Sequence, residues 1–180
     1  MYYFIIDLEA TCWKFPKTRE EQEIIEIGAI AINAYGEECD RFQSLVKPFI
    51  HPKLSYFCEE LTGITQSQVD HAPDFVEVFD QFTLWAENYE HHHFSSWGAF
   101  DEEMLRINCY QNDLDPFWNR KFANLKKQYQ RIKKLRKPIG LKSAVEREGF
   151  EFTGRHHRAL SDAENTAKIF NRYLDEWIFE

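Results

Sequence analysis

Tyr2-Tyr3-Phe4-Ile5-Ile6-Asp7-Leu8, running on into Glu9-Ala10-Thr11-Cys12, is the stretch on which the fold turns. Residues 2–8 are rich in aromatic and β-branched types and read as a buried strand. Yet the strand closes on two acids. Residues two apart on a strand share a face, so Asp7 and Glu9 point the same way while Leu8 turns into the core. Two carboxylates side by side raise each other's pKa unless a divalent cation neutralises them. The D-x-E pattern is also short and common, and a plain surface strand would explain it too.

Working outward, residues 24–33 (IIEIGAIAIN) form a second apolar run and 36–47 (GEECDRFQSLVK) a more polar third. Asn33-Ala34-Tyr35-Gly36 between them has turn composition, so the pair reads as a hairpin that Pro48 ends. Helical turns are expected at 55–61 and 65–70, around Thr62-Gly63. Phe75, Val78, Phe79, Phe82 and Trp85 repeat at helical spacing, predicting a helix over 74–90 with Asp74 as N-cap. A strand follows at 91–96, a helix at 100–110, a brief edge strand at 121–124 and a helix at 141–149 behind Pro138-Ile139-Gly140. The last element is an amphipathic helix over 158–178. A strand, a hairpin and then alternating helices and strands give an α/β fold with a mixed sheet.

At 180 residues the chain fits one domain, 1–180, with a full core. Charged residues at 29% with only 7 Gly and 6 Pro argue against disorder. No apolar run reaches bilayer length, so no membrane partner is expected. The opening residues lack a basic n-region and a small-residue cleavage site, which points to the cytoplasm. Cys12, Cys39, Cys58 and Cys109 form no CxxC pair and are expected to be buried free thiols.

Net charge is −8, which argues against a polyanionic partner until its distribution is considered. Arg120, Lys121, Lys126, Lys127, Arg131, Lys133, Lys134, Arg136 and Lys137 fall in one stretch free of acids. That leaves 13 of the 22 basic residues to balance 30 acids elsewhere. Such a segment could track a phosphate backbone, or simply be a solvated helix face.

Three further residues join Asp7 and Glu9. Asp101 follows Phe100 at a helix start, where an N-cap is its ordinary role. Asp162 lies one turn into the last helix, a position the helix dipole favours. His157 precedes Asp162 by five residues; His156 has only Ser161 at that spacing and is the weaker candidate. A carboxylate beside an apolar run must be paired, hydrogen-bonded or metal-bound. Four of them with one late histidine suggest a metal-dependent hydrolase of phosphodiesters. His91, His92 and His93 alternate faces on a strand and cannot all ligate one ion.

The order D-x-E, then D, then H-x₄-D resembles the DEDDh 3′→5′ exonucleases of the RNase H-like superfamily, over nearly the whole chain. Phe57-Cys58-Glu59-Glu60-Leu61-Thr62-Gly63-Ile64-Thr65, Trp97-Gly98-Ala99-Phe100-Asp101, Asn124-Leu125-Lys126 and Gly154-Arg155-His156-His157-Arg158-Ala159 resemble the branch of Eri-type, histone-mRNA and KapD-like 3′ exonucleases. The resemblance implies an RNase H-like five-stranded sheet with one antiparallel strand, flanked by helices. It implies two Mg²⁺ or Mn²⁺ ions held by Asp7, Glu9, Asp101 and Asp162, with His157 as general base. It places Ala10, Thr11, Leu61 and Trp13 or Phe15 against the terminal nucleotides. Lys126, with Lys127, Arg131, Lys133 and Lys134, would steer the backbone. The expected partner is the 3′ end of single-stranded RNA or DNA. Two other readings stay open: a nucleic-acid-binding module with the fold but weak catalysis, and an RNase H-like endonuclease.

Overall fold

The computed structural model describes residues 1–15, 17–115 and 122–179. Five strands, β1 (Tyr2–Ala10), β2 (Ile24–Asn33), β3 (Glu38–Leu45), β4 (His92–Ser96) and β5 (Ala123–Asn124), form one sheet in the order β3-β2-β1-β4-β5. β2 runs antiparallel to both β1 and β3, whereas β4 is parallel to β1 and to β5. This is the RNase H-like mixed sheet with one reversed strand. Asn33 builds the β2–β3 turn: its side-chain oxygen accepts from the Tyr35 and Glu37 amides, and Gly36 supplies a φ of 82°.

Seven α-helices accompany the sheet among the described residues: α1 (Tyr56–Thr62), α2 (Gln66–Asp70), α3 (Phe75–Glu87), α4 (Phe100–Gln111), α5 (Leu125–Ile132), α6 (Leu141–Arg147) and α7 (Ala159–Arg172). Asp74 caps α3 as expected, accepting from the Glu77 amide at 2.9 Å. β1 divides the core by its alternation. Phe4, Ile6 and Leu8 join α3 and α4 in one cluster, and Ile5 joins α5, α6 and α7 in the other. Asp7 and Glu9, in phase with Ile5, therefore end the strand on the α7 side.

Several elements depart from the sequence reading. The last helix stops at Arg172, not 178, because the chain doubles back: the Trp177 indole N–H donates to the Phe170 carbonyl at 2.8 Å. α5 forms in the middle of the basic stretch, with Leu125 and Tyr129 buried one turn apart. Residue 121 of the expected edge strand, and Arg120 and Lys121 of the basic stretch, lie outside the described residues. All four cysteines are free, but only Cys58 and Cys109 are buried; Cys12 is partly exposed and Cys39 exposed, since β3 is an edge strand with a polar outer face. His92 packs on Phe4 and His93 on Tyr3, on opposite faces as strand geometry requires. No described helix is long and apolar enough to cross a membrane.

Candidate active site

A cleft opens where β1 and β4 end. Asp7, Glu9, Asp101, His157 and Asp162 line it together with Ala10, Leu61, Trp97 and Lys126. Oxygens of Asp7, Glu9 and Asp162 lie within 4.8 Å of one another. Asp101 comes from α4, in the other core layer, and reaches the cleft at the end of the sheet. It is not an N-cap. Its carboxylate accepts the backbone N–H of Leu8 at 3.0 Å, which fixes it beside the strand that carries Asp7 and Glu9.

Glu9, Asp101 and Asp162 are buried and Asp7 is partly so. Among the described residues no lysine or arginine pairs with any of the four; the partner of Asp162 is His156. The carboxyls are accordingly pushed toward their neutral forms. Burial raises Asp7 well above the carboxylate range, and Asp101 and Glu9 raise it further. Burial followed by Asp162 and Glu26 brings Glu9 to about 9. Asp101 rises through burial to about 6, held back by the Leu8 amide and the Ser96 hydroxyl. Asp162 is raised by burial against the opposing pull of His156. A cluster of hard oxygen donors under this repulsion fits a divalent cation.

His157 sits in the loop before α7 at φ 66°, in the left-handed region that costs a non-glycine residue energy. Burial, then His156 and Arg155, lowers its pKa, which favours the uncharged ring that a proton acceptor needs. His156, the weaker candidate by spacing, stacks on His157 at 4.0 Å, and its Nδ1 lies 3.0 and 3.2 Å from the Asp162 oxygens. The loop is anchored on both sides. The Arg155 guanidinium lies over Gly63 and donates to the Glu60 carbonyl at 2.7 Å, tying it to the Leu61 segment. Arg158 makes two bonds, of 2.8 and 3.0 Å, to the fully buried Glu26, which also accepts the Ala159 N–H at 2.9 Å. Beside it, Gly28 lets β2 touch the start of α7; a Cβ there would overlap the Leu160 backbone.

Glu26 and Gly28 escaped the sequence reading. The available signal was an acid and a glycine inside an otherwise apolar strand, IIEIGAIAIN. Ala10, Leu61 and Lys126 lie on the cleft, but other expected substrate contacts do not line it. The Thr11 hydroxyl is buried and accepts the Glu23 amide. Trp13 packs edge-on to His51, with Lys17 over its ring, and Phe15 is exposed. Lys133 is engaged by Glu148 at 3.1 Å and by the Tyr173 hydroxyl at 2.8 Å, because it sits where α5 meets α6 and α7.

The exonuclease family model of the RNase T type matches residues 4–170. The chain belongs to the DEDDh 3′→5′ exonucleases of the Eri type. Among curated relatives of this family it is 34% identical over 191 residues to human ERI1 exoribonuclease 2, and 35% identical over 184 residues to human 3′-5′ exoribonuclease 1. These alignments cover 93% and 97% of this chain but 28% and 53% of those proteins, so the chain spans about half of their length or less. The nuclease domain of 3′hExo, a DEDDh family member solved bound to rAMP, superimposes with a TM-score of 0.92 at 33% identity, over 99% of this chain and 96% of that one. DEDDh exonucleases are hydrolases that depend on divalent metal, in keeping with the oxygen cluster here.

Proposed function

We propose that this chain is a 3′→5′ exonuclease that shortens single-stranded RNA, and secondarily DNA, from the free 3′ end and releases nucleoside 5′-monophosphates. The observation that carries this reading is the oxygen cluster of Asp7, Glu9 and Asp162, without a lysine or arginine partner among the described residues, sharing one cleft with Asp101 and His157. RNA stands first because the relatives are named exoribonucleases. Asp7, Glu9, Asp101 and Asp162 would hold two divalent ions, Mg²⁺ or Mn²⁺, which supply water activation and charge stabilisation at the phosphate. His157 accepts the proton of the attacking water as its oxygen bonds to phosphorus, and the bond from phosphorus to the preceding 3′ oxygen breaks. His156 and the Arg155 and Arg158 anchors hold that ring over Asp162. Ala10 and Leu61 offer apolar surface to the terminal nucleoside, and Lys126 a cation to its phosphates.

The test is a gel of 5′-labelled RNA and single-stranded DNA with Mg²⁺ or Mn²⁺ and with chelator. A ladder retreating from the 3′ end, abolished by chelator and by a 3′ block, is expected. Binding without shortening would leave a nucleic-acid-binding module instead, and cleavage indifferent to the block an endonuclease.

A further inference from the structure

The first turn of α5 holds Lys126 and Lys127 and no acid. A helix N-terminus carries partial positive charge, so acids there stabilise by ~0.3–1 kcal/mol and cations do the reverse. Asn124 caps this end by accepting the Lys127 amide at 3.0 Å, and two lysines are then added to it. An anion held there would meet both the lysines and the helix end favourably. Lys126 faces the catalytic cleft. Lys127 and Arg131, four apart and hence on one helix face, turn away from it. They line a separate groove of about 380 Å³ along the β5 edge, with Asn124, Gln128 and Phe179 among its other walls.

This groove is a built one. Gln128 clamps its far wall in both directions, donating to the Ile178 carbonyl at 2.9 Å and accepting the Ile178 amide at 2.8 Å. Phe179 is wedged against Tyr3 and His93. Lys127 and Arg131 are exposed and, among the described residues, take part in no ion pair, unlike Lys133 two positions on. On the reading of the cleft given above, we propose that this groove is an upstream subsite for the same strand. The phosphodiester backbone leaves the cleft past Lys126, crosses the N-terminus of α5 and lies on Lys127 and Arg131, with a base against Phe179 and Ile178. The chain is net negative at −8, so a local basic segment is where a polyanion would be favoured.

Initial rates with Mn²⁺ on a 3-nucleotide and a 15-nucleotide RNA, for the wild type and for Lys127→Ala/Arg131→Ala, test the proposal, since the trimer is too short to occupy cleft and groove together. The double variant should raise KM for the 15-mer roughly tenfold and flatten its salt dependence by about 1.4 in log–log slope, two single-strand phosphate contacts at ~0.7 each. Its trimer kinetics should match the wild type. Unchanged 15-mer KM and slope, or an equal loss on the trimer, overturns the groove. Should the wild type shorten neither RNA, the nuclease reading fails on its own. The groove is then judged by fluorescence anisotropy of the labelled 15-mer: weaker binding by the double variant supports it, and equal binding, or preference for an acidic peptide, refutes it.

Discussion

Glu26 and Arg158 form an ion pair whose carboxylate is fully buried and whose guanidinium is half-buried, gripping both carboxylate oxygens. The pair joins β2 to the residue that follows His157. Removing one partner of a fully buried pair costs ~3–5 kcal/mol, and solvent reaching Arg158 makes the cost smaller here. Glu26→Gln keeps the shape and loses the charge. Its thermal midpoint should drop by several degrees, and turnover should fall with KM little changed, because the loop carrying His157 is loosened while the strand end is intact. Equal stability and turnover would show the pair to be dispensable.

Gly28→Ala forces β2 and the start of α7 apart, since the obstacle is Leu160 backbone rather than a yielding side chain. The variant should either fail to fold or fold with Asp162 displaced. In the second case divalent affinity, followed by calorimetry, should weaken at least tenfold. A well-folded variant with normal affinity would contradict this account of how α7 is seated.

His157→Asn separates strain from chemistry. Asparagine tolerates the left-handed conformation better than histidine, so stability should be equal or slightly higher. Single-turnover rates should fall by ~10²–10⁴, the usual contribution of a general base. Near-normal rates would remove His157 from that role.

Cation binding should release protons. Glu9 has its pKa at about 9, and Asp7 is raised well above its ordinary range. A raised carboxyl holds its proton to higher pH, so a divalent ion must displace protons from this cluster as it binds. Titration calorimetry in buffers of different ionisation enthalpy should report this release, and affinity should strengthen from pH 6 to pH 8. An affinity flat across that interval would mean the carboxyls are already ionised without metal.

Glu148 governs acid stability far from the cleft. Its buried carboxylate receives the Tyr129 and Tyr173 hydroxyls, Lys133 and Arg172. Burial alone would raise its pKa, but these four partners lower it to about 2 from an ordinary 4.5. A depressed folded-state value stabilises fully above about pH 4.5 and is lost as pH falls toward 2. At ~1.4 kcal/mol per pH unit the contribution is about 3 kcal/mol. Glu148→Gln should lower the thermal midpoint at pH 7 and narrow the gap to the wild type near pH 3.

Periodicity made the sheet legible, because β1, β2 and α3 bury continuous faces whose spacing appears in any local window. That Asp7, Glu9, Asp101, His157 and Asp162 belong together was legible from their order along the chain, and the fold brings them to one cleft. What escaped depends on contacts between distant segments. Asp101 looks like a cap until Leu8, 93 positions away, offers its amide. α5 was hidden because Leu125 and Tyr129 are embedded among cations. The end of α7 is set by Trp177 folding back on Phe170, which helical periodicity through Ile178 cannot reveal.

The seat of α7 on Gly28 also sets a schedule. Asp7 and Glu9 stand near the start of the chain and Asp162 stands 155 positions after Asp7, on the helix that Gly28 seats against β2. A ribosome must therefore complete most of the chain before the ligand set can close.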